Sequence, residues 1–175
     1  MIQKIKEKIG FRKKYFKNKL FLNILFFGGF FLTGFEVYLY RNTIIDWKIP
    51  TFIWFFGGLI VTPFFRKVLN KFYNAEILLL QIVYNLVAFG GIFVFSFMAI
   101  NFYSENSNLN EKEFEIIKKK STRRNQIIII NYDGKEKELY FSKYKKREVK
   151  NAKNIILCLK DGRLGYEVIE NYKLN

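Results

Sequence analysis

The chain has 175 residues, half of them apolar and 19% aromatic, and its 30 Lys and Arg against 15 Asp and Glu leave a formal charge of +15. There is no His, which excludes every Ser-His, Cys-His and His-ligated metal scheme, and Cys158 stands alone, which excludes an internal disulfide. Long uncharged runs before position 104 exclude a plain soluble globule and a disordered tail.

Residues 1–19 carry eight cations, Lys4, Lys6, Lys8, Arg12, Lys13, Lys14, Lys17 and Lys19. Ile2, Ile5, Ile9 and Phe16 fall at helical spacing among them. This predicts a basic amphipathic segment on the inner membrane surface, held by anionic lipid head groups at about 1 kcal/mol per cation, the alternative being a disordered basic tail that obeys the positive-inside rule.

Three apolar runs follow, and a bilayer core takes roughly 20 such residues per helix. They predict transmembrane helices over about 20–40, 49–69 and 76–103. The second is short: its uncharged part ends at Phe65, so it spans only by running past Arg66 and Lys67, and re-entry is the alternative. The first lacks a small-residue cleavage site and reads as a retained anchor. Eleven Lys and Arg in 1–19 and 66–75 oppose about three (Arg41, Lys48, Lys112) on the other flanks. The positive-inside rule then puts the N-terminus in the cytoplasm and the C-terminal part outside. Tyr38, Tyr40, Trp47 and Trp54 cluster at the outer boundary, as interfacial aromatics do. Abundant Lys, Asn, Ile and Phe suggest an AT-rich bacterial genome, hence a bacterial inner membrane.

Each span carries the same local pattern: FFGGFFLTG at 26–34, FFGGLIVTP at 55–63 and AFGGIFVFS at 88–96. Lipid tails are as apolar as side chains, so helices associate in membranes by close backbone approach at small residues. Gly28, Gly29, Gly57, Gly58, Gly90 and Gly91, with Thr33 and Thr62 one turn on, are therefore expected at a helix crossing near mid-depth. Asn23, Gln81 and Asn85 are expected to bond across helices or to line a polar path, whereas Glu36 lies near a span end.

Beyond Tyr103 the composition changes. Residues 104–113 read as a polar linker, and 114–175 as a small, mostly β domain of about five strands forming a curled sheet or partial barrel. Asp133-Gly134 and Asp161-Gly162 each mark a hairpin, and Phe114–Lys120 is the leading strand. The runs 127–130 and 155–159 read as buried on both faces or at a barrel core, with Cys158 an inert core thiol. Two cationic clusters, with Lys118, Lys119, Lys120, Arg123 and Arg124 in one and Lys145, Lys146 and Arg147 in the other, are candidates for one anion-binding surface.

No Gly-rich phosphate loop and no metal-ligand spacing occurs, so no cofactor is expected. The chain reads as a non-enzymatic integral membrane protein that works by binding and assembly. Its expected partners are the lipid bilayer with its anionic head groups and a second copy or another membrane protein. A nucleotide or nucleic acid enters only if the C-terminal domain is cytoplasmic. The competing readings are a pore-forming effector whose β domain senses a small anionic ligand, and an enzyme using Glu36 and Glu76.

Overall fold

The computed structural model describes residues 2–103, 109–122, 125–141 and 146–175, with side chains from Phe16 onward. Ile2, Ile5 and Ile9 as an amphipathic face, the start of the linker, and Arg123, Arg124 and Lys145 lie outside the described residues. The chain divides into two compact units. The first is Met1–Glu36 with Trp47–Ser96, and the second is Val37–Asp46 with Phe97–Asn175.

Three helices are long and apolar enough to cross a membrane, Phe16–Arg41, Lys48–Tyr73 and Leu78–Tyr103, each of 26 residues. At 1.5 Å per residue each is about 39 Å long, more than a hydrocarbon core requires. This is a multi-pass membrane protein. The first span is the far part of α1 (Ile2–Arg41), and the second is α2 (Lys48–Tyr73). The third is α3 (Leu78–Asn85), a π-helical turn (Leu86–Gly90) and α4 (Gly91–Tyr103) in succession. The second helix therefore continues through Arg66 and Lys67, both exposed, whose stems can run along the apolar surface. It ends at Asn74 in the left-handed region, φ 50°, where the Asn74 N–H closes on Asn70 O at 3.1 Å.

The second unit holds a five-stranded antiparallel sheet in the order β3-β2-β1-β4-β5, curled into a half-barrel. Its strands are β1 (Leu109–Ser121), β2 (Gln126–Tyr132), β3 (Lys135–Phe141), β4 (Asn154–Asp161) and β5 (Glu167–Leu174). Asp133 and Gly134 both have positive φ, 48° and 79°, the mirror-image turn that matches strand twist. The second hairpin differs from expectation. Asp161 completes β4, and Gly162–Tyr166 forms a longer loop in which Gly165, not Gly162, takes positive φ (85°). β1 is also longer than expected and begins inside the supposed linker. Its first half pairs with β4 and its second half with β2, and the register slips between Ile116 and Lys118. Such a bulge bends a strand, and here it lets β1 serve both halves of the half-barrel. A short helix, α5 (Lys146–Asn151), joins β3 to β4 and places Val149 in the core.

The core is built from Ile128, Ile130, Leu139, Phe141, Ile155, Leu157, Leu159 and Ile169, with Val149. All four isoleucines of 127–130 are buried. The run at 155–159 instead alternates: Ile155, Leu157 and Leu159 point inward, while Ile156 and Cys158 are only half-buried on the other face. Cys158 is thus not a core thiol.

Candidate functional site

Within the second unit the sheet is fastened to the ends of two spans. The last turn of α1 leaves carbonyls without helical partners. The Asn42 amide donates to Tyr38 O at 3.0 Å and the Thr43 hydroxyl to Leu39 O at 2.8 Å. The chain then turns into the sheet: Thr43 bridges Val168, Ile44 N–H donates to Glu167 O at 2.7 Å and Ile169 N–H to Asn42 O at 2.8 Å. A few residues between the first two spans therefore act as an added strand on the β5 edge. From the opposite edge strand, Lys137 donates to Tyr40 O at 3.1 Å and Thr43 O at 2.6 Å, with its ammonium 4.7 Å from the Tyr40 ring centre. Lys137 is 8% exposed. It shares the inward-facing side of β3 with Leu139 and Phe141, and desolvation pulls its pKa down to about 8. A cation facing the carbonyl end of a helix is favoured by the helix dipole.

Asn101, fully buried near the end of α4, makes the second attachment. Its amide donates to Tyr166 O at 2.9 Å, and its oxygen accepts from Leu164 N–H at 3.0 Å. Gly162 packs directly on this side chain, where a Cβ would overlap it. A third brace crosses the half-barrel: Lys112 donates to Tyr132 at 3.0 Å and pairs with Glu167 at 2.7 Å, and Tyr132 also donates to Glu167. Glu167 and then Tyr132 push the Lys112 pKa up.

Within the first unit, five of the six expected glycines lie at helix contacts. A methyl group at Gly29 would overlap Val87 O and Ala88 O of the π-turn, and one at Gly91 would overlap Gly29 O. A Cβ at Gly58 would lie 2.6 Å from Leu86 Cα, one at Gly90 2.5 Å from Trp54 O, and one at Gly57 2.7 Å from the Phe93 ring. Gly28 differs, since a Cβ there meets nothing within 4 Å. The Thr33 hydroxyl donates to Gly29 O at 2.9 Å and the Thr62 hydroxyl to Gly58 O at 3.0 Å. Asn23 accepts from Tyr73, Gln81 donates to Asn70 at 2.6 Å and Asn85 to Thr62 at 3.2 Å, so these polar groups bond between helices. Glu36 is half-buried near the end of the first span.

The cationic clusters are partly brought together. Lys119 donates to Lys150 O at 2.9 Å and to Ala152 O, capping the end of α5, the helix that carries exposed Lys146 and Arg147. Lys118 and Lys120 alternate to the other face of β1. There Lys120 pairs with Glu138 at 2.8 Å, Tyr140 donates to Glu138 at 2.8 Å, and Arg41 lies 4.4 Å from the Tyr140 ring centre. Lys120, then Tyr140, holds the Glu138 carboxyl below its ordinary range. The described cations therefore divide between two faces rather than forming a single surface.

Cys158 lies 3.6 Å from Glu111, and burial followed by that carboxylate pushes its thiol pKa up. Alkylation at pH 8 is expected to be slower than that of a free cysteine, and Glu111→Gln to speed it. Mass spectrometry of an iodoacetamide time course checks this, because the thiolate is the reacting species.

Lys137 and Asn101 were not singled out by the sequence. Lys137 alternates in step with Leu139 and Phe141, which already marks it as inward-facing. Asn101 is a lone amide near the end of an apolar run and gives no such signal. Among the described residues no cluster of His, Cys, Asp or Glu is arranged to hold a metal. The chain matches no protein-family model, no curated protein and no solved structure.

Proposed function

We propose that the chain is a bacterial plasma-membrane protein, with its N-terminus in the cytoplasm and its β domain outside, that works by binding and assembly and catalyses nothing. The observation that carries this reading is the joint around Thr43. A domain with chemistry of its own needs only a tether, whereas this sheet takes residues between the first two spans as an edge strand and grips the end of α1 through Lys137. Whatever binds the sheet acts on the span ends directly. The sidedness has support of the same kind. The ends of the first and third spans share a unit with the sheet, which supports both exiting on its side with the second helix crossing between them. The excess of Lys and Arg beside the N-terminus makes the other side the cytoplasm.

The partners on this reading are a second copy or another membrane protein along the apolar helix faces, and anionic lipid heads at the exposed cations. The test is extraction of the full chain in mild detergent, together with a measurement of ion leak in cells that express it. A partner at fixed stoichiometry, with ion gradients intact, is the expected result. Leak triggered by an added nucleotide would replace this reading with the pore-forming effector. Loss of function on removing the carboxylates of Glu36 and Glu76 would replace it with an enzyme.

A further inference from the structure

Gln81 and Asn85 are fully buried and lie four residues apart, hence on one face of α3. Their nitrogens are engaged: Gln81 Nε2 donates to Asn70 Oδ1 at 2.6 Å and Ala75 O at 2.5 Å, and Asn85 Nδ2 to Thr62 Oγ1 at 3.2 Å. These partners fix which way each amide points. Ala75 O only accepts, and Thr62 already donates its hydroxyl hydrogen to Gly58 O, so it too only accepts from Asn85. Turning either amide over would set oxygen against oxygen. Gln81 Oε1 and Asn85 Oδ1 are thereby left without a donor among the described residues.

An amide oxygen cannot stay unpaired in a hydrocarbon-like interior without a large penalty, and here two lie on one helix face. What fits them is a donor that brings no net charge to desolvate, because among the described residues no group of acidic or other metal-ligating side chains accompanies them. Water has that chemistry, with two hydrogens for two oxygens. The helix opens into the π-turn directly after Asn85, a widening often found at functional positions in membrane and soluble helices. At that turn Gly29 and Gly58 seat α1 and α2 directly against its backbone. We infer that Gln81 and Asn85 hold water, so that the bundle between the 74–77 turn and the π-turn contains a hydrated site for small hydrogen-bond donors, closed at mid-membrane by the glycine contacts. This stands apart from the assembly reading and needs only the first unit.

The experiment uses the full chain in lipid nanodiscs with Cys158→Ser, and silver ion as a small water-borne thiol probe. Gln81→Cys and Asn85→Cys are compared with Val83→Cys, which is 47% exposed on the apolar surface. Thiols ionise and react only where water reaches them, so the first two are expected to react on the order of a hundredfold faster than the third. Equal slow reaction at all three positions, in folded protein, overturns the inference. Should both cysteine variants fail to fold, hydroxyl-radical labelling of the unaltered chain decides the matter. Oxidation of Leu86 well above that of Ile92, which is likewise half-buried but lies past the π-turn, supports the site, and equal low oxidation removes it.

Discussion

Gly28→Ala is expected to leave unchanged or raise the melting temperature of the detergent-solubilised protein, and Gly29→Ala to lower it sharply. The two residues are adjacent and sit in the same motif, yet a Cβ at Gly28 meets nothing within 4 Å while one at Gly29 overlaps Val87 O and Ala88 O. In a helix, Ala is favoured over Gly by up to about 1 kcal/mol, which is the whole effect expected at Gly28. At Gly29 the obstacle is backbone, which cannot rotate aside as a side chain does, and overpacking of this kind costs about 1–3 kcal/mol. Gly58→Ala is expected to follow Gly29, because Leu86 Cα stands 2.6 Å from where its Cβ would be. Thermal unfolding of the three variants side by side checks this. A common shift for Gly28 and Gly29 would mean that the close approach of the π-turn to α1 does not hold the bundle.

Lys137→Glu is expected to abolish the folded sheet. It would set a carboxylate against Tyr40 O and Thr43 O, both acceptors, at the negative end of α1. Unpaired buried charge costs about 3–5 kcal/mol, a large share of a domain's total stability. Lys137→Met is milder and carries the pH signature. Folded Lys137 loses its proton near pH 8, and the unfolded chain holds it to the ordinary 10.5. Below that window both states are protonated, and above it neither is. Within it the unfolded chain binds more proton, so the lysine's contribution to stability rises with pH. At 1.36 kcal/mol per unit, the difference of 2.5 between those two values amounts to about 3 kcal/mol. The neutral amine still has two hydrogens for two carbonyls, so the bonds survive deprotonation. The stability gap between the native chain and Lys137→Met is therefore expected to widen from pH 8 to 10.5. Parallel denaturation curves across that range would show that Lys137 is not desolvated at the joint.

Much of this architecture is legible in the amino-acid sequence, for reasons that differ by element. The spans are legible because length and apolarity alone decide them. The FFGG motifs are legible as contacts because small residues are what backbone approach demands. Which neighbour each glycine meets, and that Gly28 meets none, is not, since successive helical residues point about 100° apart and only the neighbours' positions decide. The first hairpin follows from Asp133-Gly134, where both residues take positive φ. At Asp161-Gly162 the same dipeptide misleads, because pairing of Asp161 with Glu167 extends the strand through it. The first half of β1 is hidden for another reason. From Leu109 to Glu113 every residue is exposed, so no alternation marks a strand that backbone pairing with β4 nevertheless holds. The joint is least legible of all, since Thr43 and Lys137 meet only after nearly a hundred intervening residues have folded.

On the proposed topology the second helix crosses the membrane and leaves the sheet on the side opposite the 74–77 turn. Two single-cysteine forms in a Cys158→Ser background test it, Glu76→Cys in that turn and Arg163→Cys in the loop between β4 and β5, both at exposed positions. With a membrane-impermeant maleimide, Arg163→Cys is expected to react in intact cells and Glu76→Cys only after the membrane is opened. Reaction of both in intact cells, or of neither until the membrane is opened, would put the turn and the sheet on one side and rule this topology out.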